Sequence, residues 1–324
     1  MEIVFFYTDT WLNPVRIRES LTQMRDLGGG AVAVNIYEQD LLRWKKDLPR
    51  FFDIAGELGL RRYVSYGRHG GVFSGGLMVP SLFAYLHPET LVVPAGGART
   101  TGGEANASAP SFFERICCVN HPAFRRYMEE QTRTILTAFQ PDGLLFDEPK
   151  GLNLPCACVH CRQQFRGGES AAQANTRAQV AFIRGLCDQA KAHRAGLCTM
   201  LVVGHSDDAF LEQFAAVASL DVLGTEAYWI ARGKDLTWLR EWCGPAVRKL
   251  AVCGKKTQVW MNNWGMPAGA ERDLPEAYRI VAKARPDQLF SFWWWRNSDD
   301  PEAVMEYTRR GLLGLRLTPA ANGK

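Results

Sequence analysis

The chain has 324 residues, with 38 Lys and Arg against 34 Asp and Glu. Its net charge of +4 is scattered in pairs such as Arg61-Arg62 and Lys255-Lys256, which excludes a concentrated basic face and with it a nucleic-acid partner. A composition of 47% hydrophobic, 22% charged and 11% aromatic residues is that of a globular enzyme, and no apolar run is long enough to cross a membrane.

The first residues after Met1 enter an apolar strand directly, without the basic stretch and longer apolar run of a secretion signal. The expectation is a soluble cytoplasmic protein whose nine cysteines are mostly reduced thiols or metal ligands. Apolar, β-branched or aromatic runs recur at 2–8, 31–37, 61–67, 143–147, 198–204, 221–227, 257–263 and 288–295. Amphipathic segments lie between them, among them 15–27, 122–139, 208–219 and 274–285, and a last helix is expected over 301–311. Near-continuous apolar strands alternating with helices indicate a parallel sheet covered on its outer face. Eight such units predict a (β/α)8 TIM barrel occupying 1–324 as one catalytic domain. A doubly wound open sheet is the alternative, but the first strand-to-helix turn, Thr8 to Pro14, lacks a glycine-rich phosphate loop. Residues 70–121 break the rhythm as an extended loop after the third strand. Its centre, 96–110, has too few apolar residues to pack. We expect a lid or pocket wall there, anchored by Phe73, Phe83 and Tyr85.

In a parallel barrel the residues at the C-terminal strand ends share one mouth. Those ends carry Tyr7 and Asp9; Asn35, Tyr37 and Glu38; Tyr66, Arg68 and His69; Asp147 and Glu148; and His205, Asp207 and Asp208. The later strands add Glu226 and Tyr228; Asn262, Asn263 and Trp264; and Trp293, Trp294, Trp295 and Arg296. Aromatic faces stack on sugar rings, and amides and carboxylates bind hydroxyls. Cleavage of a glycosidic bond needs two carboxyl groups, one protonated and one ionised. Asp147, Glu148 and Glu226 are the candidate catalytic carboxyls, because each interrupts an apolar run in which a charge is costly. Alternation lets only one of the Asp147-Glu148 pair point into the barrel. Tyr7, Asn35, Tyr37, Arg68, His69, His205, Tyr228, Asn262, Trp264, Trp293 and Trp295 are the candidate contacts to a carbohydrate substrate.

Cys156, Cys158 and Cys161 follow the carboxylate pair in a C-x-C-x-x-C loop with no packing logic, whereas Cys187, Cys198, Cys243 and Cys253 read as small buried hydrophobes. Three clustered thiols suit a structural zinc, which needs a fourth ligand. The Cys117-Cys118 pair supplies it, with Cys117 taken in the set and Cys118 as its alternate. An all-thiolate site is closed, so the zinc is structural rather than catalytic, and no organic cofactor is expected.

The run Cys117-Cys118-Val-Asn120-His-Pro122, then Asp142-Gly143-Leu-Leu-Phe-Asp147-Glu148 and C-x-C-x-x-C, resembles the family 42 β-galactosidases and related barrel glycosidases. The likeness covers about 117–165. It implies a zinc-binding cysteine quartet and a general acid/base role for Glu148. That family places its nucleophilic Glu at the end of strand seven, where this chain has Trp260-Met-Asn262-Asn263-Trp264 and no carboxylate. The α-galactosidase type instead uses an Asp nucleophile on strand four and an acid on strand six, a pattern that would make Asp147 nucleophile and Glu226 acid/base. Both schemes stay open. A glycoside hydrolase is the leading expectation. A non-hydrolytic carbohydrate-binding barrel, or a sugar-acid lyase or isomerase using Arg68, His69 and His205, is the alternative.

Overall fold

The computed structural model describes residues 1–7, 13–75, 79–94, 115–204, 208–293 and 298–317. Its strands are β1 (Glu2–Tyr7), β2 (Gly29–Tyr37), β3 (Arg61–Gly67), β4 (Gly143–Asp147), β5 (Cys198–Val202), β6 (Val222–Ala227), β7 (Lys256–Met261) and β8 (Gln288–Trp293). They follow in sequence order around a closed barrel, β8 pairing parallel with β1. The helices are α1 (Pro14–Asp26), α2 (Glu38–Arg43), α3 (Leu48–Glu57), α4 (Leu82–Leu86), α5 (Pro122–Phe139) and α6 (Val159–Arg162). They continue with α7 (Ala171–His193), α8 (Asp208–Ala215), α9 (Leu236–Val252), α10 (Leu274–Lys283) and α11 (Pro301–Leu317). This is the (β/α)8 barrel that the alternation predicts. Among the described residues no helix is long and apolar enough to cross a membrane.

Helix starts follow local capping chemistry. Asn13 Oδ1 accepts from Val15 N and Arg16 N at the head of α1, with Pro14 in the first turn, where a missing N–H costs nothing. Ser170 and Gln173 form a reciprocal capping box on α7. Helix α11 runs to Leu317 instead of stopping at Gly311. That glycine serves close packing: a Cβ there would lie 2.5 Å from the Tyr278 ring of α10.

The residues group into two compact units, 1–34, 50–63 and 222–324 in the first and 35–49 and 64–221 in the second. In the first, alternation sorts the side chains of β1. Phe5 lies beside Gly29 and the Met24 carbonyl of α1, and the Tyr7 ring is 5.1 Å from Phe51 of α3, so both face the helices. Phe6 takes the opposite face with Trp260 (5.1 Å) and Phe292 (5.4 Å), and Trp260 stacks on Phe290 at 4.8 Å. On the same inner face a polar chain closes the N-terminal end. Gln288 Nε2 donates to Glu2 Oε2 (2.9 Å), Gln258 Nε2 to Gln288 Oε1 (2.9 Å), and Trp260 Nε1 to Gln258 Oε1 (2.6 Å). Buried polar atoms without such partners would each cost about 1–3 kcal/mol.

In the second unit β4 pairs with β5 from Gly143↔Cys198 to Asp147↔Val202. Phe146 faces the helices, stacked on Tyr66 at 5.6 Å and packed with Phe73, which in turn meets Phe182 of α7. Tyr66 Oη donates to Thr132 Oγ1 of α5 at 2.9 Å. The two ends of the 70–121 interval are tied together. Cys117 N donates to the Gly70 carbonyl at 2.8 Å, and a Cβ on Gly71 (φ +69°) would fall 1.9 Å from the Arg115 carbonyl oxygen. Phe73 is fully buried and Phe83 stacks on Tyr127 at 4.0 Å, whereas Tyr85 is exposed under the Arg115 guanidinium. The glycine-rich centre, 96–110, lies outside the described residues.

Candidate active site and thiol cluster

The acidic end of β4 separates its two carboxyls by backbone geometry. All five residues of the strand are buried, and Phe146 faces outward, so Asp147 takes the inner face. Its carbonyl accepts from Ser74 N at 2.8 Å, which ties the segment after β3 to the strand end. Glu148 follows at φ 36°, in the left-handed region that most side chains avoid, and its N–H donates to the Val202 carbonyl at 3.1 Å. The turn carries Glu148 out to the rim, where Oε2 accepts from Lys150 Nζ at 2.6 Å. Asp147 is only 6% exposed. Burial pushes its carboxyl up to about 8, the Glu148 charge adds to the rise, and Lys150 opposes it.

Also in the second unit, Asn35 Nδ2 donates to Tyr37 Oη at 3.3 Å. Val34 pairs with the outward-facing Tyr7, so alternation puts Asn35 and Tyr37 on the inner face of β2. Arg68 is buried in the left-handed region at φ 57°. The next residue departs from expectation. His69 is fully buried, with its ring 5.5 Å from Tyr66 and 6.4 Å from Tyr127 on the helix side, and burial lowers its pKa. It packs as a neutral imidazole in the core rather than lining the mouth.

Glu38 has a structural task. Its oxygens accept from Gly70 N (2.9 Å), Ser81 Oγ (2.8 Å) and Phe83 N (2.8 Å), so one buried carboxylate organises the segment after β3.

In the first unit Glu226 pairs in register with the inward-facing Trp260, and it is 4% exposed. Arg232 Nη2 lies 3.9 Å from its Oε2. The guanidinium also lies over Trp238 and Trp242 at 5.8 and 5.9 Å, and those rings stack at 5.1 Å. Two residues beyond Glu226, Tyr228 meets Trp264 edge-on at 5.4 Å, and both lie 6.2 Å from Phe292. Glu226 thus shares a face with an aromatic wall. Asn262 is consumed bracing loops, its Oδ1 accepting from Ala231 N (3.0 Å) and its Nδ2 donating to the Trp264 carbonyl (2.8 Å). Asn263 is consumed similarly by Phe292, Ser291 and Thr308.

Two further expectations are corrected by strand parity. Tyr7 is fully buried against Phe51, and Trp293 is 5% exposed with its ring edge-on to Phe5 at 5.5 Å, so both belong to the helix-facing core. His205 and Trp295, with Asp9, Asp207, Trp294 and Arg296, lie outside the described residues. Sequence reasoning missed Arg232, Phe292 and Lys150. Only Lys150 had a legible signal, as a cation two positions from Glu148.

The thiols gather as expected, with one substitution. Sulfur atoms of Cys118, Cys156, Cys158 and Cys161 lie within 4.8 Å of one another. Cys118 Sγ is 3.7 Å from Cys158 Sγ and 3.4 Å from Cys161 Sγ. Four sulfurs about 2.3 Å from a tetrahedral zinc would stand about 3.8 Å apart, so the set has the size for such an ion. Val93 N and Asn120 Nδ2 donate to Cys156 Sγ and Cys161 Sγ at 3.3 Å each. Hydrogen bonds from the Cys118 and Cys161 thiols pull Cys156 toward thiolate, while Cys118 is pushed up. Cys117 does not belong to the cluster. Neighbouring residues of an extended chain point oppositely, and Cys117 pairs with Leu91 in a bridge, its Sγ 3.2 Å from Thr90 Oγ1. Burial pushes its thiol up to about 12. The fourth sulfur is that of Cys118.

No family model matches the chain, and no curated protein matches it. Solved structures do. A β-galactosidase from the Antarctic haloarchaeon Halorubrum lacusprofundi superposes with a TM-score of 0.66 at 11% identity, covering 100% of this chain and 59% of its own. The chain therefore spans about three-fifths of that enzyme's length. The catalytic domain of a β-amylase from Paenibacillus polymyxa gives 0.63 at 8% identity, covering 98% of this chain and 99% of its own. A D-allulose 3-epimerase from Methylomonas gives 0.52 at 13% identity, covering 98% and 97%. At these identities the likeness is one of fold. The barrel hosts both hydrolases and an epimerase, so the reaction must be argued from side chains.

Proposed function

We propose that this chain is a glycoside hydrolase whose acidic centre is formed by Asp147, Glu148 and Glu226. The observation that carries the reading is the pair of buried carboxyls at the inner-face ends of two strands, Asp147 on β4 and Glu226 on β6. C-terminal strand ends of a closed parallel barrel open to one mouth. Two carboxyls with different environments are what glycoside cleavage requires: one gives a proton to the leaving oxygen, and one faces the anomeric carbon or its water as a carboxylate. Tyr228, Trp264 and Phe292 supply apolar faces of the kind that stack on sugar rings, with Asn35, Tyr37 and Arg68 as polar contacts. His205 and Trp295 stay in the proposed set on sequence position alone. The β-galactosidase and β-amylase of the same fold support the reaction class. Hydrolysis of a panel of nitrophenyl glycosides tests it. Wild-type protein should release nitrophenol from at least one sugar, and Glu226→Gln should release it about 10²–10⁴-fold more slowly.

We further infer a structural zinc held by Cys118, Cys156, Cys158 and Cys161. A bound ion would crosslink the segments 117–120 and 156–161, each of which also meets the segment 91–94 through the bridges Leu91↔Cys117 and Pro94↔Cys156. Thiolate ligands fill all four positions, so the ion has no part in the chemistry.

A further inference from the structure

We infer that Asp147 carries the catalytic proton, with Glu148, fixed by Lys150, as the neighbouring carboxylate that keeps the proton in place. The assignment rests on the hydrolase reading above and gives that site its division of labour. It departs from both role schemes implied by the sequence resemblance, which give the proton to Glu148 or to Glu226.

Three carboxyls are involved, and the surroundings of each differ in kind. Glu148 sits on the rim, bonded to Lys150 Nζ at 2.6 Å, its side chain 27% exposed. Its carboxyl therefore meets both water and a cation at the rim. Glu226 has Arg232 at 3.9 Å, and that guanidinium is kept in place between the carboxylate and the Trp238–Trp242 pair. Asp147 has neither advantage. It is buried at the inner end of β4, and Val202, opposite it on β5, brings no charge. Within its own unit the groups that act on it are Glu148, a like charge, and Lys150, which is already committed to Glu148. Burial and repulsion both favour the neutral carboxyl, consistent with a carboxyl pushed up to about 8. Carboxyls whose environments push their protonation apart are the usual basis for separate acid and base roles.

The step balances without another reagent. Asp147 gives its proton to the glycosidic oxygen as the bond from that oxygen to the anomeric carbon breaks, and the alcohol departs. The hydroxyl of a water ends on the anomeric carbon, and the remaining proton of that water restores Asp147. Lys150 is a positioning residue: it fixes the Glu148 carboxyl beside Asp147, and that like charge helps keep the proton on Asp147.

Two measurements test this. The first needs no substrate: carboxyl titration followed by infrared difference spectroscopy on the whole chain. A carboxyl stretch titrating near 8 should be present in wild type and absent in Asp147→Asn. In Glu148→Gln the same band should titrate at lower pH, because the like charge is gone. The second is the leaving-group dependence of hydrolysis. Asp147→Asn should lose about 10²–10⁴-fold on an alkyl glycoside, whose leaving oxygen needs a proton, and less than about tenfold on a dinitrophenyl glycoside. Equal losses on both, or no titration near 8 in wild type, would overturn the assignment. If the titration behaves as expected and wild type cleaves no glycoside, the hydrolase reading falls while the proton on Asp147 stands.

Discussion

Replacing Cys118 by Ser removes a sulfur from the centre of the thiol cluster, where it lies 3.7 Å from Cys158 and 3.4 Å from Cys161. If the four thiols hold zinc, the ion joins segments 40 positions apart in the chain, from Cys118 to Cys158. Closing a loop of that size restricts the unfolded chain by about 13 cal/mol/K, or about 4 kcal/mol at 25 °C in the loop-entropy account. An unfolding entropy near 2.1 cal/mol/K per residue over 324 residues converts this to a fall in Tm of about 6 °C. Cys117→Ser is the matched control one residue away. It exchanges one small polar atom for another beside Thr90 and should cost less than about 1.5 kcal/mol. The assay is elemental analysis together with thermal unfolding, before and after a mild chelator. Wild type and Cys117→Ser should carry about one zinc per chain, and chelation should lower their Tm toward that of Cys118→Ser. A Cys118→Ser protein that keeps its zinc through the chelator, or a Cys117→Ser protein that loses it, would refute the ligand set.

The other outcomes concern the barrel. Glu226→Gln should reduce turnover by about 10²–10⁴-fold while leaving Tm and sugar affinity nearly unchanged, as checked by steady-state kinetics and calorimetric binding. Asp147 is raised from 3.8 to about 8 in the folded chain, so the native state holds a proton that the unfolded chain releases. Stability therefore falls as pH climbs between those values, by up to about 6 kcal/mol. Asp147→Asn should flatten that slope and be more stable than wild type at about pH 9, measured by urea unfolding. Gly71→Ala would place a Cβ 1.9 Å from the Arg115 carbonyl at a φ of +69°, and should cost about 2–3 kcal/mol in the same assay.

Much of this architecture is visible in the sequence because it depends on periodicity. The apolar run 143–147 and the amphipathic run 122–139 coincide with β4 and α5 to the residue, since Gly143 and Pro122 mark their starts and the polar turn after Asp147 and the left-handed Gln140 their ends. Strand-end side chains are less legible, because one position decides which face a residue takes. Phe292 faces inward and Trp293 outward, although both are large aromatics in one apolar run. The same parity sends Tyr7 to the helices and turns Cys117 away from a cluster that Cys118 enters. Long-range partners leave no local trace. Nothing in the residues around Glu38 announces its bonds to Gly70, Ser81 and Phe83, and nothing around His69 announces burial between Tyr66 and Tyr127.

Whether a glycosidic bond is cleaved between Asp147 and Glu226 is decided by a crystal structure of Glu226→Gln soaked with a glycoside that wild type cleaves. The leaving oxygen is expected within hydrogen-bond distance of Asp147, with a sugar ring against Trp264 or Tyr228. The separation of the two side-chain carbons should then fall near 5–5.5 Å for a retaining enzyme or 6.5–9.5 Å for an inverting one. A sugar seated away from the strand ends, or one whose scissile oxygen meets neither side chain, would remove these carboxyls from the reaction.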